Sequence, residues 1–125
     1  MGRILEDVSK TILKEHGVPV PGHTVISVSE EITEQHLLKP CVLKALVPVG
    51  KRGKAGAIKF ADSVEEAKSK ADEIFRMTVR NCPVDKILLE EKIDIDEEWY
   101  VSITIDPRKQ VPVIMATTQG GVEVE

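Results

Sequence analysis

The sequence has little that would serve export, membrane insertion or nucleic-acid binding. Its uninterrupted apolar stretches are only a few residues long, far short of the roughly 20 needed to cross a bilayer, and Met1 to Lys14 lacks the apolar core of a signal peptide. Cysteine is scarce: Cys41 and Cys82 make at most one pair, which is no disulfide framework, and both read as reduced thiols of an intracellular, cytoplasmic protein. Basic charge is in deficit, and a formal net charge of −4 argues against general nucleic-acid binding, which needs a basic face to displace counterions. Any anion site is therefore local. His16, His23 and His36 are dispersed and read as surface or cap residues, and neither a Ser-His-Asp set nor a Cys-His metal pattern follows from the spacings. There is no internal repeat and no low-complexity stretch.

What is present is an ordinary globular composition, 42% hydrophobic and 30% charged over 125 residues, enough for one compact domain. From Ile4 to His16, Ile4, Leu5, Val8, Ile12 and Leu13 recur at helical spacing and share one stripe, and Gly17 is placed to end that helix in a left-handed cap. Pro19 and Pro21 force an extended turn. His23 to Val28 is a β-branched run, Ser29 starts a weak helix to about Leu38, and Cys41 to Val47 reads as a strand. After a glycine-rich basic stretch come the β-like Ala57 to Phe60 and a capping box at Ser63-Val64-Glu65-Glu66. The helix this box opens is expected to run towards Arg80 and Asn81 and to stop at Cys82-Pro83. Lys86 to Glu91, Glu98 to Ile105 and Val111 to Thr117 are strand candidates, with Asp106 to Lys109 as a turn. This order predicts an α+β fold with helices packed on a mainly antiparallel sheet.

The strongest chemical signal is Lys44 on a strand followed by Gly50-Lys51-Arg52-Gly53-Lys54-Ala55-Gly56. Glycines let a backbone approach phosphate closely, and Lys and Arg add charge-assisted hydrogen bonds. The pattern is not a P-loop, because Ala55 follows Lys54 where a hydroxyl would be needed, and it is not the dinucleotide fingerprint, because the glycine spacing differs and a strand follows. On spacing alone a solvated hairpin tip is as good an account as a polyphosphate site.

Resemblance adds to this. The run Leu43 to Gly56 resembles the segment of succinyl-CoA synthetase β-subunits, which are ATP-grasp enzymes, that ends in Gly-Gly-Arg-Gly-Lys-Ala-Gly-Gly. The opening helix with Gly17-Val18-Pro19-Val20-Pro21 resembles the family's start, and Ile87-Leu88-Leu89-Glu90 its hinge strand. Thr117 to Glu125 resembles its Ser-Thr-Glu-Gly-Gly-Val-Glu-Ile-Glu signature. These matches come in order and span nearly the whole chain. Lys51-Arg52-Gly53-Lys54 and Glu97-Glu98-Trp99-Tyr100-Val101 are also similar to ATP-citrate lyase and citryl-CoA synthetase of the same superfamily.

The resemblance implies an ATP-grasp-like fold, truncated: residues 1–125 would hold the first subdomain and most of the second, without the magnesium ligands and the CoA-ligase domain. It implies that Lys44 contacts ATP, that Lys51, Arg52 and Gly53 lie on the phosphate side with Arg52 the best candidate for a direct contact, and that Glu90 marks the hinge beside the adenine. Glu98 would bind the ribose hydroxyls, since a carboxylate accepts two hydrogen bonds, and Pro21 would lie near the purine as in ATP-using members. Read without the resemblance, each of these is a solvated residue on a strand or turn. Lys51 and Ala57 replace family glycines, which implies a stiffer, more cationic loop; Ile93 and Gln119 also depart from the family pattern.

The function so implied is the nucleotide-binding part of an ATP-dependent carboxylate–CoA ligase, working by phosphoryl transfer with ATP, ADP and magnesium, and partnered by an α-subunit or CoA-binding domain that carries the phosphorylated histidine. The acid is left open between succinate, malate and citrate. The fragment alone is expected to turn over little, to expose an apolar patch and to self-associate. The alternatives are a stand-alone, non-catalytic ATP-grasp-like module that binds a nucleotide or a protein, and a small interaction domain whose basic loop is incidental.

Overall fold

In the computed structural model, which describes residues 3–36 and 40–121, the chain divides into two compact units, Met1–Ile93 and Asp94–Glu125. The first unit opens with helix α1, Glu6–Glu15, close to the stretch that apolar spacing marks out. It ends as expected. Gly17 sits at φ +80°, and the amides of Gly17 and Val18 donate to the carbonyls of Lys14 and Leu13, the two bonds of a Schellman cap.

Four antiparallel strands form the sheet of this unit: β1 (His23–Ile26), β2 (Cys41–Ala45), β3 (Ile58–Ala61) and β6 (Ile87–Glu91), in the order β1-β6-β2-β3. β2 and β3 pair from Cys41↔Ala61 to Lys44↔Ile58, so the basic glycine loop is the tip of a hairpin. β6 inserts between β1 and β2, pairing Glu90 with His23 on one side and with Val42 on the other. The helix expected from Ser29 is a single 3-10 turn, Ser29–Glu31, and its continuation through Leu38 falls partly outside the described residues.

Helix α2, Val64–Phe75, starts at the capping box: Ser63 Oγ accepts from the Glu66 amide, while Glu66 reaches back to the amide of Asp62 rather than Ser63. It ends earlier than the expected limit near Arg80. Thr78–Val79 (β4) and Cys82–Pro83 (β5) form a short hairpin instead, turned by Arg80 and Asn81 at φ 48° and 67°. Two consecutive positive φ values are those of a tight hairpin turn, and Val79, fully buried, anchors it in the core. The expected continuation of the helix beyond Phe75 thus gives way to tertiary burial.

Strand alternation sorts the sheet into two faces. Cys41, Leu43 and Ala45 of β2, with Ile87 and Leu89 of β6, join Ala67, Ala71 and Ile74 of α2 in the core cluster. Three alanines at the contact, Ala61, Ala67 and Ala71, let helix and sheet approach closely. The opposite face carries Val42, Lys44, Leu88 and Glu90, and it is this face that bears the chemistry.

The second unit is a hairpin of β7 (Tyr100–Asp106) and β8 (Val111–Thr117), paired along its whole length. Asp106 makes its turn, accepting from the amides of Arg108 and Lys109 through Oδ1 and from Gln110 through its carbonyl. Ile103, Ile105 and Ile114 are all about 70% exposed or close to it, at 71%, 69% and 70%, which bears on self-association below. Gly120 and Gly121 close back on Glu98: the Gly120 amide donates to the Glu98 carbonyl, and Cβ atoms at Gly120 and Gly121 would come within 2.7 Å of that carbonyl and 2.6 Å of the Glu98 carboxylate. No side chain fits at either position without moving Glu98. The remaining residues of that signature, 122–125, lie outside the described residues.

Candidate functional site

Lys44 lies on β2 and Glu90 on the adjacent β6, both pointing away from the α2 core. Lys44 Nζ donates to Glu90 Oε1 at 2.9 Å and to Glu6 Oε1 at 3.0 Å. Arg52 folds back from the glycine loop, donating to the Ala45 carbonyl at 2.9 Å and to Glu6 Oε2 at 2.6 Å. Lys10, one turn along α1 from Glu6, lies 2.5 Å from Glu90 Oε2, an ion pair without directed hydrogen-bond geometry. Three cations and two carboxylates therefore form one network that ties α1 and the loop to the sheet. Its side chains are all mostly buried, from 7% exposed at Glu90 to 21% at Glu6, so these pairs are screened far less than surface ones.

Burial alone would push the Glu6 carboxyl up, but Lys44 and Arg52 together hold it below the ordinary value. For Lys44, burial works against the charge, and hydrogen bonding and attraction from Glu90 and Glu6 raise it above the ordinary lysine value. Both groups are charged at neutral pH. Glu6 stabilises fully above its ordinary value of 4.5 and loses that contribution as pH falls through the lower folded-state value. Lys44 stabilises fully below 10.5 and loses its contribution only as pH rises through a still higher value. The expected result is a melting temperature that drops on acidification below about pH 4.5 more steeply in the natural chain than in Glu6→Gln, measured by circular dichroism across pH. Parallel acid limbs in the two chains would contradict it.

A cavity of about 550 Å³ opens beside this network, lined by Arg3, Glu6, Lys44 and Arg52 and, from the loop, by Val49 and Gly50. Arg3 itself donates to the Pro48 carbonyl at 2.8 Å. Three cations and one carboxylate line it, in a chain of net negative charge, although Lys44 and Arg52 are already paired with carboxylates. The volume falls in the range of small-molecule pockets.

The structure thus brings Lys44, Arg52 and Glu90 together. Lys51 and Gly53 belong to the same loop, where Lys51 adopts φ 64°, a left-handed conformation costing a side chain about 1 kcal/mol and natural for the glycine the family resemblance puts there. Pro21 lines a different cavity, with Thr11, Lys14, Val20, Gly22 and His23. Glu98 belongs to the second unit. Sequence reasoning missed Glu6, Lys10 and Arg3. A Glu and a Lys four apart on an amphipathic helix were the only signal, and that pattern is usual on solvated helix faces. Among the described residues no group of three or more His, Cys, Asp or Glu side chains is placed to hold a metal ion, and Glu6 and Glu90 are both committed to cations.

Fold and cation-lined cavity agree with one class of protein. The ATP-grasp domain model matches residues 3–125, and the chain belongs to the ATP-grasp family. Among curated proteins it is similar to the β-subunit of the ADP-forming succinate–CoA ligase of Methanocaldococcus jannaschii, 44% identical over 123 residues, which cover 98% of this chain and 34% of that one. It is also similar to the β-subunit of the GDP-forming succinate–CoA ligase of Thermus thermophilus, 40% identical over 119 residues, 94% of this chain and 32% of that one. The chain therefore spans about a third of the length of these relatives. Among solved structures, an acetyl-coenzyme A synthetase of Ca. Korarchaeum cryptofilum in complex with coenzyme A and Ca-AMPCP superposes with a TM-score of 0.78 at 25% identity, over 94% of this chain and 54% of that one. No helix among the described residues is long and apolar enough to cross a membrane.

Proposed function

We propose that this chain is the nucleotide-binding part of an ATP-dependent carboxylate–CoA ligase of the ADP-forming succinate–CoA ligase β-subunit type. The observation that carries the reading is the convergence of Lys44 and Arg52 on one cavity beside a glycine loop, in a chain of the ATP-grasp family. The nucleotide phosphates lie against Lys44 and Arg52, with Lys51 and Gly53 on the same loop. Glu90 marks the hinge strand, Pro21 lies on the purine side, and Glu98 in the second unit takes the ribose hydroxyls. The first unit corresponds to the first ATP-grasp subdomain and Asp94 onward to most of the second, a division supported by the break after Ile93.

In this reading the chain's residues do positional and electrostatic work. Lys44 and Arg52 neutralise phosphate charge and fix its orientation, which is most of what phosphoryl transfer asks of a protein. Magnesium supplies further charge neutralisation when it arrives with the nucleotide. The α-subunit or CoA-binding domain of the ligase, with its histidine, takes the phosphoryl group onward in the cytoplasm, and the 125-residue chain alone has little or no turnover. The exposed isoleucines of the second unit support self-association of the isolated chain.

Calorimetric titration with ATP, GTP and ADP in the presence of magnesium tests the reading, beside Arg52→Ala. Saturable ATP binding, weakened about tenfold in Arg52→Ala, is expected for loss of a charge-assisted contact. Binding that is indifferent to Arg52, or no binding, would overturn it.

A further inference from the structure

Glu6 sits across the two cations assigned to phosphate. One carboxylate oxygen lies 3.0 Å from Lys44 Nζ and the other 2.6 Å from Arg52 Nη2. Two oxygens of one anion spread over an ammonium and a guanidinium is the arrangement a phosphate group would adopt there, and the cavity is lined by the same three side chains. We propose that Glu6 is a resident carboxylate ligand of the phosphate subsite, which nucleotide phosphate displaces, so that Glu6 sets the affinity of the site by competing for it. This inference rests on the ATP-binding reading above.

Three further observations make displacement feasible. No residue of α1 is buried, and Ile4 just before the helix and Val8 in its first turn are 63% and 47% exposed, so the first turn of α1 is not locked into the core by packing. The residue preceding α1, Leu5, offers no side-chain cap that would pin the turn. Finally, both sides of the broken contact keep a partner. Lys44 retains Glu90 at 2.9 Å, and Glu6 has Lys10 one turn away at 3.7 Å, already within ion-pair range. With the phosphate taking the place of Glu6 on Arg52, displacement of Glu6 towards Lys10 leaves no buried charge alone, which is the costly outcome.

The sign of one substitution separates competition from positioning. Glu6→Gln removes the competing charge while keeping the shape, and ATP is expected to bind it about tenfold more tightly than it binds the natural chain, by isothermal calorimetry. Equal or weaker binding to Glu6→Gln, with ATP still binding the natural chain, would overturn the inference and leave the ATP reading standing. No binding by either chain would overturn both. A second measurement on the natural chain does not depend on the variant folding: carboxyl 13C spectra of Glu6 during titration with inorganic tripolyphosphate. The Glu6 signal is expected to shift on saturation as its bonds to Lys44 and Arg52 break; a Glu6 signal unmoved while tripolyphosphate binds would overturn the inference.

Discussion

Glu90→Ala is expected to lower the unfolding free energy by about 3 kcal/mol, the largest loss available from one side chain of the site. Glu90 is the most buried charged residue described, 6% exposed, and it faces two ammonium groups, Lys44 Nζ at 2.9 Å and Lys10 Nζ at 2.5 Å. Without it those two lysines share only Glu6, which is already held by Arg52. Like charges are then left partly desolvated beside one another, and the penalty is that of uncompensated charge rather than of one missing bond. Urea unfolding followed by circular dichroism measures it. A change under about 0.5 kcal/mol would mean that the network behaves as an ordinary surface cluster.

Lys44→Met is expected to behave in the opposite way, costing binding more than stability. Removing Lys44 leaves Glu6 on Arg52 and Glu90 on Lys10, so each carboxylate keeps a cation. Destabilisation is expected to be about 1–2 kcal/mol, with the methionine stem still packing on the sheet. Nucleotide affinity should fall roughly 10- to 100-fold, because a buried ammonium makes a stronger contact to phosphate than an exposed one. Calorimetry and urea unfolding on the same preparation separate the two effects. Loss of stability without loss of binding would make Lys44 a structural residue.

The parts of this arrangement that were legible in the sequence are the local ones. Gly17 and Ser63 announced a helix end and a helix start because their chemistry acts within a few residues, and both act as expected. Lys44 and Arg52 were singled out by the glycine-rich spacing and the family resemblance, and both line one cavity. The end of α2 was misplaced because Thr78 and Val79 continue a helical pattern acceptably, and only burial of Val79 in the finished core decides for a hairpin. The strand order β1-β6-β2-β3 and the part played by Glu6 were not legible at all. Glu6 finds its partners 38 and 46 residues away, and nothing local distinguishes it from a solvated helix carboxylate. The apolar stripe of α1 was legible as a stripe, yet it remains substantially exposed while the polar side of the helix makes the contacts to the sheet.

The central claim is that nucleotide phosphate binds between Lys44 and the glycine loop, and amide chemical-shift mapping during an ATP–magnesium titration of the 15N-labelled chain tests it most directly. The largest shifts are predicted at Lys44, at Gly50 to Gly53 and at Glu6 in the first turn of α1. Shifts confined to the separate cavity around Thr11, Pro21 and His23, or an unchanged spectrum at saturating ATP, would contradict it.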